Sequence, residues 1–491
     1  MSDAYKIVVG LEVHVQLLTK TKLFCGCTTE FGKPPNTQVC PVCIGMPGVL
    51  PVMNRKAFDL SLRAALALNC QIAGFTKWDR KNYYYPDLPK NYQVSQYDLP
   101  FSHDGYLEIE TANGAKKIGI IRAHLEEDAG KNMHDESGRG GDSKVDLNRT
   151  GTPLLEIVSH PEMNSPEEAE AYLRELRLML REIGVSDCEM QEGSLRCDAN
   201  VNIHIPWNGE IAATPLVEVK NLNSIGSVSR SIAYEAARQF EEFKKDPENY
   251  RFGKIFKTTA GWNDARGMTQ VQRHKEEAAD YRYFPEPDLV PVIVNQEQIA
   301  QARDAMGELP AQQRSRLQQA PYNLSPYDAH VLSGQGRKIV SYYEDVAKSS
   351  DPKAACNWVA NEVLASLKER AEEIDQFPIK ADRLSGLVSE MKETGLKREK
   401  ARDVYQHMLE KGTDAKTAMK DLGYIVVVDE SALLEMIRKG IEANAKAVAD
   451  FKKGNEKALD RVFGSVMRET KGMGKPDVIK RLLLEEVAKM A

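Results

Sequence analysis

Residues 5–17 read YKIVVGLEVHVQL. Ile7, Val9, Leu11, Val13, Val15 and Leu17 recur at every second position, so one face of this strand is apolar. Glu12, His14 and Gln16 fall on the other face. Neighbours on one strand face are close enough for a carboxylate and an imidazole to share a cation. A polar face can also simply meet solvent. The pattern recurs, which favours the first reading. In GSLRCDANVNIHI (193–205), Leu195, Cys197, Ala199, Val201 and Ile203 alternate with Arg196, Asp198, Asn200, Asn202 and His204. In PLVEVKNLNS (215–224), Glu218 and Lys220 oppose Val217 and Val219. In SKVDLNRTGTPLLEI (143–157), Val145 and Leu147 alternate with Asp146 and Asn148. A solvated sheet face more often carries Lys, Thr and Glu, and few Asn. The reading is therefore α+β: an open antiparallel sheet with one face on core helices and the other lining a polar groove.

One of those helices is well signalled. Ser165 caps it, Pro166 fits its first turn and Glu168 completes a capping box. Tyr172, Leu173, Leu176, Met179, Leu180 and Ile183 form its apolar stripe, and Gly184 ends it.

The segment IIRAHLEEDAGKNMH (120–134) adds Arg122, His124, Glu126, Glu127, Asp128 and Lys131 to the groove inventory. Consecutive acids cannot all face one way on a strand, and alternation alone does not say which of them meets the groove. Carboxylates and cations in one groove suit phosphoryl transfer. Magnesium takes oxygen ligands, with one or two carboxylates plus substrate phosphates and waters completing its shell. Arg and Lys neutralise charge on the transferred group. No GxxxxGK[ST] loop is present, and Gly138-Arg139-Gly140-Gly141 reads only as a flexible turn. Nucleotide binding must then rest on metals and side chains.

Two aromatic-rich segments flank the groove in this reading, Trp78–Gln96 and Asp280–Leu289. Arg80, Lys81, Lys90 and Arg282 are interleaved with Tyr83, Tyr85, Tyr92, Tyr281 and Tyr283. Such a set can hold an adenine or an unpaired RNA end, or can be a loop pinned by core tyrosines.

Four of the eight cysteines cluster: Cys25 and Cys27, then Cys40 and Cys43 after twelve intervening residues. Two close pairs across a short loop can supply a closed, structural four-thiolate zinc site. Unligated buried thiols and a redox role for Cys40–Cys43 are the alternatives, the latter without a surrounding βαβ context.

At roughly 150 residues per domain, a chain of 491 residues makes about three domains. The divisions expected are 1–294, strand-rich; 295–410, helical; and 411–491, a helical tail after a break near Lys411-Gly412-Thr413. The net charge of −6 argues against coating nucleic acid non-specifically. The tail carries 16 Lys/Arg against 13 Asp/Glu, which leaves room for local RNA contact. Mean hydropathy is −0.46, and no apolar run approaches the ~20 residues of a membrane helix. With no secretory signal in MSDAYKIVVG, the expected location is the cytoplasm.

Taken together, GLEVHVQL, GMPGVLPV, DRKNYYYPDLPKNYQ, HLEEDAGK, VDLNRTGTPLLEIVS, EGSLRCDANVN, EVKNLNS and DYRYFPEPDL resemble the GatB family, the B subunits of the tRNA-dependent amidotransferases, over essentially the full chain. The resemblance implies a glutamine-synthetase-like catalytic domain, a helical domain and a small all-α YqeY-like tail that contacts tRNA. It implies action with an amidase (the A subunit) and a small C subunit on Glu-tRNA(Gln) and Asp-tRNA(Asn). ATP would phosphorylate the side-chain carboxylate, and ammonia would displace phosphate. The family's metal ligands map onto Glu12, His14, the Glu126-Glu127 pair with Glu127 favoured, and Glu218, for Mg2+; its zinc ligands map onto Cys25, Cys27, Cys40 and Cys43. Glu12, His14, Glu127, Glu218 and Lys220 are expected to serve catalysis, and Arg196, Asp198, Asn200 and Arg282 to line the groove around ATP.

No Ser-Ser-Lys amidase signature occurs, so a partner must make the ammonia. Two other readings stand beside this one: a ligase acting on a small free carboxylate, and a non-catalytic, zinc-stabilised tRNA adaptor.

Overall fold

The computed structural model describes residues 4–133, 143–274, 281–424, 430–452, 455, 458–469 and 476–489. The turn expected at Gly138–Gly141 lies outside them. Two compact units divide the chain, Met1–Ala311 and Gln312–Ala491.

The main sheet of unit one contains β1 (Lys6–Gln16), β2 (Gln71–Ile72), β3 (Ser102–Thr111), β4 (Gly114–Glu127), β5 (Pro153–Ser159), β6 (Leu195–Trp207), β7 (Glu210–Ala213), β8 (Val217–Lys220), β9 (Thr258–Asn263) and β10 (Met268–His274). Their order is β10-β9-β8-β6-β1-β5-β4-β3-β2, with β7 beside β6. The first strand thus lies at the centre, where its apolar face must be covered. Helices α1 (Arg55–Ala67), α2 (Pro166–Glu182) and α3 (Ile225–Lys245) join that face in one core. Val9, Leu11, Val13 and Val15 share that core with Tyr172, Leu173, Leu176 and Met179.

The sheet is not wholly antiparallel as expected. β8 and β9 run parallel, because α3 lies between them in the chain as a crossover. Helix α2 starts where its sequence predicts, with Ser165 Oγ accepting from Glu168 N–H. The reciprocal bond differs: Glu168 accepts from Asn164 N–H, one residue before the cap, and from Lys116 Nζ.

Segment 143–148 is also placed differently. Lys144–Asp146 forms a small ribbon with Lys131–Met133, outside the main sheet. Asp146 Oδ1 accepts from Asn36 N–H at 3.0 Å, and Asn148 Oδ1 from Gln38 N–H at 2.8 Å. Their polarity holds the cysteine loop rather than lining the groove.

Unit one runs past the boundary expected at 294. The reason is α4 (Gln296–Asp304), whose Ile299 and Ala302 pack on the first core. Unit two is helical among its described residues and holds two separate cores. One gathers Tyr343, Trp358, Phe377, Leu384 and Met408, the other Ile437, Val462, Ile479 and Leu483. Gly412, at φ +66°, is the C-cap of helix Arg398–Lys411. Ala415, Ala418 and Met419 beyond it still pack on the first of these cores, so the break at 411–413 is a helix stop. No helix among the described residues is long and apolar enough to cross a membrane.

Candidate active site

Cross-strand register gathers the polar faces into rows. His14 on β1 stands opposite Glu156 on β5, and Glu156 opposite His124 on β4. His14 Nε2 lies 3.3 Å from Glu126 Oε1, 3.5 Å from Glu156 Oε2 and 3.9 Å from Glu12 Oε1. His124 Nε2 lies 3.6 Å from Glu156 Oε2. The donor atoms of Glu12, His14 and Glu156 all fall within 4.8 Å of one another, as do those of His124, Glu126 and Glu156.

The electrostatics follow from that crowding. Burial alone would lower the His14 pKa, but its contacts with Glu126 and Glu156 outweigh burial and hold it well above the usual imidazole value. Burial and the Glu156 charge push Glu12 up. His124, buried beside Arg122 and Lys81, is pushed down despite its carboxylate neighbours. Acids placed this close repel one another unless a cation lies between them. Carboxylate oxygens and one imidazole are a donor set suited to a hard divalent cation.

A second row continues across β6 and β8. Glu12 stands opposite Asp198, and Asn200 opposite Glu218. Lys220 Nζ hydrogen-bonds Asp198 and lies 3.2 Å from Glu218 Oε1. Lys257 Nζ is 3.6 Å from Glu218, and Thr259 Oγ1 donates to it at 3.3 Å. Asn200 Oδ1 is buried without a hydrogen-bond partner among the described residues. Arg196 is tied down, donating to Asp128 Oδ2 at 2.6 Å.

The adjacent acids of β4 part company. Glu126 faces His14, whereas Glu127, favoured from the sequence, projects through the opposite side of the strand. There Lys90 Nζ and Val94 N–H donate to its carboxylate, the latter at 2.9 Å. Lys90, Glu127, Tyr92 and Cys43 line a cavity of about 290 Å³. Period-two alternation permits only one of two consecutive residues on each face.

Lys81 joins the site from the aromatic segment. Its Nζ lies 5.0 Å from the Tyr281 ring centroid and 5.8 Å from that of Tyr83. Burial opposes its charge, but Glu126, Tyr283 and Glu156 raise its pKa. Arg80 is held differently, gripping buried Glu286 with Nε and Nη2, each at 2.7 Å. Arg282 lies at the rim, its guanidinium 5.9 Å from the Tyr84 ring.

Residues 7–300 match the GatB/GatE catalytic domain, and residues 341–487 match the GatB domain. The B subunit of the aspartyl/glutamyl-tRNA(Asn/Gln) amidotransferase of Rhodopirellula baltica is 50% identical over 486 residues, spanning 98% of this chain and 97% of that protein. Its counterpart in Carboxydothermus hydrogenoformans is 46% identical over 488 residues, 99% of each chain. This chain belongs to the GatB family.

In this GatB chain the four clustered cysteines converge. The Sγ atoms of Cys25, Cys27, Cys40 and Cys43 lie within 4.8 Å of one another, and none is in a disulfide. A tetrahedral four-thiolate zinc site with bonds of ~2.3 Å needs sulfurs about 3.8 Å apart, so the set fits a metal with little adjustment. A hydrogen bond from Cys25 lowers the Cys43 thiol, and the Lys22 charge adds to this. Lys22 Nζ, fully buried, lies 3.6 Å from Cys43 Sγ and donates to Gln38 O at 2.7 Å.

The GatB groove also contains Glu156, which is not among the residues expected from sequence. Glu156 sits in PLLEIVS, a strand buried on both faces, where alternation carries no signal. Its antiparallel register against His14 is the feature that exposes it. Of the expected groove residues, the sheet brings together Glu12, His14, Glu126, Asp198, Asn200, Glu218 and Lys220. Glu127 and Arg282 lie apart from that row.

Proposed function

We infer that this chain is the B subunit of an amidotransferase, a carbon–nitrogen ligase that forms Gln-tRNA(Gln) and Asn-tRNA(Asn). One observation carries the inference within the family: the row Glu126, Glu156, His14, Glu12, Asp198 and Glu218 across five adjacent strands. Such a row suits a phosphoryl-transfer step, which needs positioned cations between anionic reactants.

The reaction has two stages. A side-chain carboxylate oxygen of the esterified amino acid attacks the γ-phosphorus of ATP, ADP leaves, and an acyl phosphate results. Ammonia then attacks the acyl carbon, phosphate leaves with the C–O electron pair, and the nitrogen gives up a proton. Magnesium, when bound, neutralises the phosphates. Glu12, His14, Glu126 and Glu156 would hold it, with Glu218 serving a second position. Lys220, kept charged by Asp198 and Glu218, and Lys81 would offset negative charge on the transferred group. Asn200 offers its unpaired acceptor to a hydroxyl or amine of the substrate.

The ammonia would come from a partner amidase, the A subunit, and a small C subunit would complete the complex. Zinc on Cys25, Cys27, Cys40 and Cys43 would be structural, because four thiolates leave no open coordination position. The resemblance to glutamine synthetase is proposed for the catalytic unit alone. The helical cores of unit two would serve as connector and as the tail that meets tRNA.

The test is phosphate release and amide formation by the reconstituted complex on Glu-tRNA(Gln) and on Asp-tRNA(Asn). Glu12→Ala and His14→Ala should each abolish both products. Wild-type rates in either variant would remove the assignment. ATP turnover driven by free glutamate without tRNA would favour a small-molecule ligase instead.

A further inference from the structure

We propose that Arg122 receives the side-chain carboxylate of the amino acid esterified to the tRNA, and so recognises the acceptor of the phosphoryl group. The proposal rests on the function inferred above and assigns the part of the substrate that the acids of the row repel.

Arg122 stands on the groove face of β4, at period-two spacing from His124 and Glu126. Register sets it opposite Val158 on β5 and His103 on β3. Among the described residues its one ion pair is with Glu156, whose Oε1 lies 3.7 Å from Nη2. The other oxygen of that carboxylate, Oε2, lies 3.5 Å from His14 Nε2 and 3.6 Å from His124 Nε2. Glu156 thus turns one oxygen to the imidazoles and one to the guanidinium. Arg122 stands one carboxylate away from the cation set of His14, Glu12 and Glu156.

Its hydrogen-bonding capacity is unspent. A contact of 3.7 Å is too long for a hydrogen bond. Its Nε is buried without a partner among the described residues, as is Nδ1 of His124 two positions along the same face. Other arginines of this unit are committed. Arg80 grips Glu286 with two nitrogens, Arg196 donates to Asp128, and Arg149 donates to the carbonyls of Ala129 and Gly130. A guanidinium carries five donors and a permanent charge. The Arg122 side chain is 38% exposed, so a ligand can reach it from the groove.

The two ends of the groove differ in chemistry. Lys220 and Lys257 gather at Glu218, at 3.2 and 3.6 Å. From β8 to β4 there are four strand steps, about 19 Å of sheet. Ammonium groups are point charges that suit the many oxygens of a polyphosphate, whereas the planar guanidinium fork matches the paired oxygens of one carboxylate. In-line transfer sets the attacking oxygen and the leaving ADP on opposite sides of the phosphorus. With the polyphosphate toward the lysines, the attacking carboxylate comes from the side of Arg122. Each carboxylate oxygen has two acceptor positions, so one held by the guanidinium keeps a second for the phosphorus. Val158, opposite both Arg122 and Glu12, gives the methylenes of that side chain an apolar floor.

The test is equilibrium binding of charged tRNA to the assembled complex without ATP, so that nothing turns over. Glu-tRNA(Gln) is compared with Gln-tRNA(Gln), whose side chain has the same shape and no charge. Arg122→Gln should weaken binding of Glu-tRNA(Gln) about tenfold and leave that of Gln-tRNA(Gln) within about twofold. Arg122→Lys, which keeps the charge and loses the fork, should recover only part of the difference. The KM for ATP in amide formation should stay at the wild-type value in both variants. Equal weakening of the two tRNAs, or unchanged binding of both, would overturn the proposal. A raised KM for ATP with Glu-tRNA(Gln) binding intact would place Arg122 on the phosphates and overturn it too. A wild-type complex that amidates no charged tRNA would bring down the functional reading and this assignment together. Discrimination retained by Arg122→Gln beside an active wild type would bring down the assignment alone.

Discussion

His14 Nε2 lies 3.3 Å from Glu126 Oε1 although β5 runs between their strands. The two side chains reach over that strand toward Glu156, so three strands contribute to one point of charge. Glu126→Gln keeps the shape and removes the charge. It should lower ATP-dependent phosphate release by about 100-fold or more. A rate within twofold of wild type, measured in the assembled complex, would exclude Glu126 from the metal set.

Glu127→Gln should behave differently. It leaves Lys90, whose side chain is 9% exposed, without its counter-charge, and breaking a largely buried pair costs on the order of 3 kcal/mol. Urea unfolding of the chain should record that loss. Lys90→Met together with Glu127→Gln should recover part of it.

Arg80 and Glu286 join two segments far apart in sequence through a two-pronged contact. Arg80→Ala should destabilise unit one by roughly 3 kcal/mol, since Glu286 stays buried without its partner. Arg80→Lys should recover little, because an ammonium cannot make the parallel pair of bonds. A double-mutant cycle with Glu286→Ala should show strong coupling, and additive losses would contradict it.

Gly45 has φ +72°, and a Cβ there would collide with Lys90 Cγ and sit 3.3 Å from Lys90 Cα. Gly45→Ala should therefore cost about 1–3 kcal/mol through backbone strain and displacement of Lys90. Thermal unfolding checks this, with Gly48→Ala as a control that has the same backbone strain and open space around its Cβ.

Replacing Cys40 and Cys43 by Ser should remove bound zinc and lower the melting temperature of unit one. Metal analysis and calorimetry on the same preparation separate the two effects. Zinc retained at about one per chain would show that these thiols are not ligands.

Much of this was legible in residues 5–17 and 195–205. Strict alternation in strands with one buried face announces both the sheet and its chemical side, as at Glu12, His14 and Asp198. Capping chemistry announced α2 through Ser165 and Gly184. The paired spacing of four cysteines announced their convergence. What stayed hidden was set by register rather than pattern. Glu156 is embedded among apolar neighbours, and only its pairing with His14 gives it meaning. Glu126 and Glu127 are equivalent as letters, and the phase of β4 separates them. Asp146 and Asn148 mimic a strand face, yet their oxygens serve backbone amides of the cysteine loop. The parallel β8–β9 pair depends on where α3 packs, a tertiary choice no local window contains.

The anchoring of that cysteine loop orders events during synthesis. All four thiols have been made by residue 43, but the bonds that hold their loop join Asn36 to Val145, Asp146 and Leu147 across sequence separations of 109, 110 and 111 residues. Closing loops of that length carries an entropic cost that a nascent chain cannot offset until the far side exists. The thiols therefore emerge from the ribosome long before their scaffold, and the pocket that fixes their geometry is completed only after the chain has grown by another hundred residues or so.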